Sequence, residues 1–181
     1  PIPPHSLKKD ILLPLFDNTS LKDQAHEVCD IIIELYKVIL GYATHSVLIS
    51  PRELQSIAML TIANADHQDP VLLAKHYAYT MGCQLVPQKH RSDFEEKFAK
   101  IERVSRAPNA SQSFFITPSR TQIAQYLRDL MQLRAYRQEN CGTLSTEQKT
   151  VGLGGFILEG EPGIGKSELL IEILVREFGF R

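Results

Sequence analysis

The sequence predicts a mainly α-helical chain that ends with the first strand, a glycine-rich loop and the following helix of an α/β core. Apolar residues recur at helical spacing over most of the chain, and helix-start signals divide that pattern into separate helices. Near the end, a short apolar run leads directly into glycines, which is typical of a strand followed by a functional loop.

The composition is that of an ordinary globular protein, with 43% apolar and 23% charged residues in 181. The 20 basic residues nearly balance the 21 acidic ones, so we expect neither a nucleic-acid partner nor a membrane surface. Cys29, Cys83 and Cys141 lack metal-ligand spacing. They predict reduced thiols in a cytoplasmic or otherwise intracellular protein, with Cys29 as a small core residue.

Proline and capping residues predict the elements of the first half. Prolines near the start predict an extended arm through residue 18, with an apolar anchor at residues 11–16. Four helices follow, from Thr19 or Ser20 to about 40, from 51 to about 65, from 71 to about 81, and from 93 to about 104. Asp69-Pro70 is the expected cap of the third helix and Gly82 its expected stop, and Ser92 with Glu95 is the capping box of the fourth.

Ser50, Pro51 and Glu53 form the strongest of these start signals, because they combine a capping box with proline at the first helical position. Arg52 is thereby placed at a helix N-terminus, where the helix dipole disfavours a cation. It needs an anionic partner, either a carboxylate or a ligand phosphate, and the residues alone favour the carboxylate.

No His, Cys or carboxylate in the sequence repeats at metal-ligand spacing. We therefore interpret His76, Tyr77 and His90 as packing or surface residues rather than as a metal site.

A polar, proline-containing stretch around residues 106–113 predicts a domain boundary. We expect a helical domain over 1–107, a linker over 108–113 and the start of a core over 114–181. After an apolar run at 114–116, Thr117-Pro118 predicts a helix to about Glu139, which the residues at 140–142 end. Residues 143–155 predict a loop or short helix.

Residues 160–167 match G-x-x-x-x-G-K-[ST], the phosphate-binding loop or Walker A motif. We predict that eight residues bind a nucleotide: Gly160, Glu161, Pro162, Gly163, Ile164, Gly165, Lys166 and Ser167. Residues 156–158 predict the buried strand before the loop. Backbone N–H groups would form an anion nest, Lys166 would act catalytically at the β- and γ-phosphates of ATP, and Ser167 would ligate Mg²⁺.

Only residues 168–181 follow the motif, enough for one helix. A P-loop fold needs further parallel strands and an acidic residue that orders Mg²⁺ and water. We therefore expect the chain to be part of a longer ATPase, and to be catalytically incomplete by itself.

In this order, the pieces resemble the AAA+ ATPases, specifically tandem-module members of the midasin and dynein type, with MoxR proteins as single-module relatives. Residues 115–120, the long helix and residues 155–167 look like the opening of an AAA+ core. The resemblance implies that Ile116 and Thr117 contact adenine. Residues 50–54 look like the start of a lid helix, which implies that Arg52 is the second sensor of a preceding module.

Three functions follow as hypotheses. The first is an AAA+ ATPase that remodels protein assemblies, with ATP, a protein substrate or a neighbouring AAA+ module as partners. The second is a helical protein-interaction domain that precedes a regulatory, signalling-type P-loop switch. The third is a helical binding module in which the loop is idle.

Overall fold

The computed structural model describes residues 2–45, 47–98, 116–151 and 156–180. Within these ranges the chain is helical and has no β-strand, which confirms the predicted helical bundle. The α-helices are α1 (Pro4–Ser6), α2 (Ala25–Leu40), α3 (Pro51–Asn64), α4 (Pro70–Leu85), α5 (Arg91–Lys97), α6 (Thr121–Glu139), α7 (Thr146–Thr150) and α8 (Lys166–Leu170). None of the described helices is long and apolar enough to cross a bilayer. The predicted linker at 108–113 lies outside the described residues, so the domain boundary stays a prediction.

Helices α2, α3 and α4 pack against one another, and α6 packs on α3. Their buried residues form one apolar core, in which Ile32 of α2 and Ile57 of α3 are completely buried. Leu133 of α6 belongs to the same core, so α6 is packed with the helices that precede it. Cys29 is a core residue as predicted, and burial raises the pKa of its thiol to about 12. That thiol is therefore protonated and unreactive at neutral pH.

The N-terminal segment is helical, so the prediction of an extended arm was wrong. A π-helix at Leu7–Leu12 follows α1, and a 3₁₀-helix at Leu13–Phe16 follows that. Pro4 and Pro14 each stand in the first turn of a short helix, where a missing N–H costs nothing. The apolar anchor is confirmed, since three of its side chains are at most 1% exposed: Leu12, Leu15 and Phe16.

Three helix starts and one helix end agree with the sequence signals. The Ser50–Glu53 capping box opens α3, and the backbone N–H of Ser50 donates to the Glu53 carboxylate. Asp69 accepts the N–H of Val71 at 2.8 Å at the start of α4. Helix α6 begins after the 3₁₀ turn Pro118–Arg120 and ends at Glu139. The short helix expected within 143–155 is α7.

Two predicted starts were wrong because the capping residues have other partners. Helix α2 begins at Ala25, since the Thr19 hydroxyl donates to the carbonyl of Phe16 at 2.8 Å and closes the preceding turn. Helix α5 begins at Arg91, which puts Ser92 inside its first turn. The Glu95 carboxylate accepts the Tyr79 hydroxyl at 2.8 Å instead of completing a capping box. The predicted end of that helix, near 104, lies outside the described residues.

Gly82 does not stop α4, which continues to Leu85. A Cβ atom at Gly82 would lie 2.0 Å from Cζ of Phe94, whose ring is completely buried. The sequence therefore has glycine here because the ring of α5 packs directly on the α4 backbone, and its role is in packing rather than termination.

The buried strand expected at 156–158 is not present. These residues form no regular structure, and the side chains of Phe156 and Ile157 are 38% and 87% exposed. A strand is stabilised by hydrogen bonds to a neighbouring strand, and the described residues provide none.

We predict that Gly82→Ala destabilises the chain by about 1–3 kcal/mol, because the added methyl overpacks the Gly82–Phe94 contact. Urea unfolding followed by circular dichroism measures this change. Gly142→Ala is the matched control, since a Cβ atom there meets nothing within 4 Å. Helix propensity alone would make Gly82→Ala more stable by about 1 kcal/mol, and that result would contradict the packing role.

Candidate functional site

The phosphate loop, residues 160–167, is built by glycines with backbone conformations that other residues rarely adopt. Gly163 and Gly165 have φ angles of 81° and 77°, in the left-handed region. Gly165 is the N-cap of α8 and turns the chain into that helix. A Cβ atom at Gly160 would lie 2.5 Å from Cδ1 of Ile164, so the loop folds closely on itself.

Lys166 lies across this loop. Its ammonium group donates to the carbonyls of Gly160 and Glu161 at 2.7 and 2.8 Å. The side chain of Lys166 therefore reaches from the first residue of α8 back to the start of the loop. Ser167, the next residue, and most of the loop are exposed at the surface.

Helix α8 continues as a π-helix, Ile171–Glu177, and this P-loop helix packs on α6. Leu169 and Ile173 join Ala124 and Leu127 of α6 in a small apolar cluster. Ile116 packs against the edge of the same cluster, so the structure brings this predicted site residue beside the P-loop helix.

Thr117 caps the turn that precedes α6. Its carbonyl accepts the N–H of Arg120 at 2.9 Å, and its hydroxyl lies 3.1 Å from that of Ser119. The described contacts of Thr117 are thus with its own turn, and its adenine role stays a prediction.

An ion pair fixes the far end of the P-loop helix. Arg128 donates from Nε and Nη2 to the two carboxylate oxygens of Glu177, both at 2.7 Å. The two side chains are only 11% and 10% exposed. The hydrogen bond to Glu177 raises the pKa of Arg128, so the guanidinium stays charged at every pH at which the protein is folded.

A cleft of about 870 Å³ opens between α3, α4, α6 and residues 156–159. We call residues 156–159 the lead-in to the phosphate loop. Arg52 lines this cleft together with aromatic side chains such as Tyr79 and Tyr126. Arg52 is exposed, and in the described part of the chain no carboxylate forms an ion pair with it. The structure thus places Arg52 and the lead-in on walls of one cleft.

His76, Tyr77 and His90 each have a ring contact with a neighbouring aromatic side chain. The His76 ring meets the Tyr77 ring edge-on at 5.5 Å, and the Tyr77 hydroxyl donates to buried Asp129 at 2.9 Å. His90 lies 6.0 Å from the ring of Tyr42. Among the described residues, no three His, Cys or carboxylate side chains form a group that could hold a metal ion.

Sequence reasoning missed Arg120 as a neighbour of the loop. A Cβ atom at Gly165 would lie 3.1 Å from Nη1 of Arg120, so the guanidinium lies directly against the loop backbone. The two residues are far apart in sequence, and no local pattern links them. The available signal was an arginine two residues after Thr117-Pro118, the predicted helix start.

Comparison of the chain with protein-family models, curated proteins and solved structures finds no match.

We predict that Glu177→Gln destabilises the packing of the P-loop helix by about 2–4 kcal/mol, since it leaves the Arg128 guanidinium buried without its counter-charge. Amide hydrogen exchange over the helix measures the local loss, and urea unfolding measures the total. The control is Asp30→Asn, which removes the more exposed Lys8–Asp30 pair and should cost at most about 1 kcal/mol. Equal effects of the two changes would contradict the anchoring role.

Proposed function

We propose that this chain belongs to an ATP-binding and ATP-hydrolysing protein of the AAA+ type, which remodels protein assemblies. Residues 160–167 bind the phosphates of ATP with Mg²⁺ in this proposal. The observation that supports it most is the curved loop at the start of α8, with the Lys166 ammonium bound across it to the carbonyls of Gly160 and Glu161.

The loop fits a phosphate group on steric grounds. A side chain at Gly160 would clash with Ile164, and one at Gly165 would press on Arg120. Glycine at both positions keeps the backbone bare, so that N–H groups can approach an anion closely. The start of the P-loop helix adds the positive end of its dipole.

The electrostatics of the loop favour the same ligand. A phosphate oxygen carries charge, and a charge-assisted hydrogen bond is roughly twice as strong as a neutral one. Lys166 therefore gains by exchanging its two carbonyl acceptors for phosphate oxygens. Ser167 follows directly and would supply a hydroxyl ligand to Mg²⁺, which when bound neutralises charge on the β- and γ-phosphates.

Arg52 would serve as a phosphate-sensing residue in the same proposal. The resemblance to AAA+ lids assigns it to the nucleotide of a preceding module. Its exposure and the lack of a described carboxylate partner support a role towards an external anion.

We predict that Lys166→Ala weakens the binding of MgATP to the chain by about 10- to 100-fold, because it removes the motif cation from the phosphates. Isothermal titration calorimetry measures the affinity. Lys149→Ala, which removes an exposed lysine of α7, should leave it unchanged. MgATP binding to Lys166→Ala at wild-type affinity would show that the loop is not the nucleotide site, and a wild-type chain that binds no MgATP would favour an idle loop.

We predict that Arg52→Ala lowers nucleotide affinity or turnover of the intact protein by about tenfold, as loss of a charge-assisted hydrogen bond does. The free energy of unfolding should stay within about 1 kcal/mol of wild type, because the side chain is exposed. Lys37→Ala on α2 is the control for loss of an exposed cation. A loss of stability with unchanged turnover would assign Arg52 a structural role instead.

A further inference from the structure

Arg120 lies at the junction of α6 and the phosphate loop. The 3₁₀ turn Pro118–Arg120 delivers it there, and the hydrogen bond from its N–H to the Thr117 carbonyl at 2.9 Å closes that turn. Its guanidinium approaches Gly165, with Nη1 and Cζ at 3.1 and 3.9 Å from the Cβ position of that glycine. The Lys166 ammonium donates to the carbonyls of Gly160 and Glu161, so two cations lie against the same loop.

The charge of Arg120 has no described counter-charge. In the part of the chain that the structure describes, no carboxylate forms an ion pair with this guanidinium. The residue is half-buried, so its side chain is partly shielded from solvent. Arg128 of α6, the helix that follows Arg120, is by contrast paired with Glu177.

A guanidinium presents five N–H donors in a planar fork that matches the oxygens of a phosphate. Placed against the backbone of an anion nest, such a group adds attraction for an anion bound there. Lys166 alone supplies one charge, whereas a nucleoside polyphosphate carries several negative charges at neutral pH. The second cation therefore suits a polyphosphate better than a monophosphate.

We propose that Arg120 is a second phosphate-binding residue of the loop, which donates hydrogen bonds to the polyphosphate chain beside Lys166. This inference rests on the proposed function, because it uses the same anion site. It adds a residue that lies outside the P-loop motif and that joins the bound phosphates to the first turn of α6.

Isothermal titration of the 181-residue chain with MgATP, and separately with inorganic tripolyphosphate, tests the inference. Arg120→Gln and Arg120→Met both remove the charge, and we expect each to weaken both ligands by about tenfold. Arg120→Lys keeps a charge without the fork and should recover part of the affinity. Circular dichroism and the melting temperature identify which variants are folded, and either folded uncharged variant is sufficient.

Arg134→Gln is the matched control, because it also removes an arginine charge, from α6, the helix that follows Arg120. At a rise of about 1.5 Å per residue, it lies about 20 Å farther along α6. There its guanidinium packs over the ring of Phe180 at 5.2 Å. The affinity of the Arg134→Gln variant for both ligands should equal that of the wild type.

Each other outcome overturns a defined part of the proposal. If a folded Arg120→Gln or Arg120→Met variant binds with wild-type affinity while Lys166→Ala loses binding, Arg120 is not a phosphate-binding residue. The proposed function then remains intact. Weaker binding of MgATP with unchanged tripolyphosphate binding shows that Arg120 does not contact phosphate. If Arg120→Lys binds both ligands as weakly as Arg120→Gln does, the positive charge of residue 120 is not responsible for the affinity. No binding of either ligand to the wild-type chain overturns both this inference and the proposed function.

Discussion

The hydrogen bond from the Tyr77 hydroxyl to the carboxylate of Asp129, at 2.9 Å, sets the rotation of α6 on the bundle. Asp129 is 2% exposed, and its other oxygen accepts the side-chain amide of Gln125 at 2.9 Å. A buried carboxylate without donors would cost several kcal/mol, so α6 is held with this face towards α4. The preceding residue, Arg128, then points about 100° away around the helix, where it pairs with Glu177. One helix thereby contacts both the bundle and the P-loop helix.

Helix α7, which precedes the lead-in along the chain, is anchored to the N-terminal segment by Gln148. The buried amide of Gln148 donates to the carbonyls of Leu15 and Asp17 in the N-terminal segment, and its oxygen accepts the N–H of Ser145 at 2.8 Å. Gln148 thus cannot move without leaving buried polar groups unpaired. Along the chain, the exposed lead-in and the phosphate loop thus stand between two segments that polar contacts anchor, Gln148 in α7 and Glu177 at the end of the P-loop helix.

The helix starts that the sequence predicted correctly depend on residues a few positions apart. The Ser50–Glu53 box and the Asp69 cap are of this kind, since both partners are visible in one short stretch. Gly82 and Glu95 were misread because their partners belong to other helices: the Phe94 ring covers Gly82, and the Tyr79 hydroxyl takes the Glu95 carboxylate. A turn signal and a packing contact select the same residue type, and the sequence alone does not distinguish them.

In the candidate site, too, local features are readable from the sequence and contacts between distant segments are not. The phosphate loop is contiguous, so its motif is readable, whereas the approach of Arg120 to Gly165 exists only because the P-loop helix packs on α6. Arg52 reaches the cleft beside the lead-in for a similar reason, since α3 packs on α6. An exposed arginine in a cleft attracts an anion that enters it. The proposed sensing role of Arg52 therefore depends on where an anion binds, which the packing of the helices determines and local sequence does not.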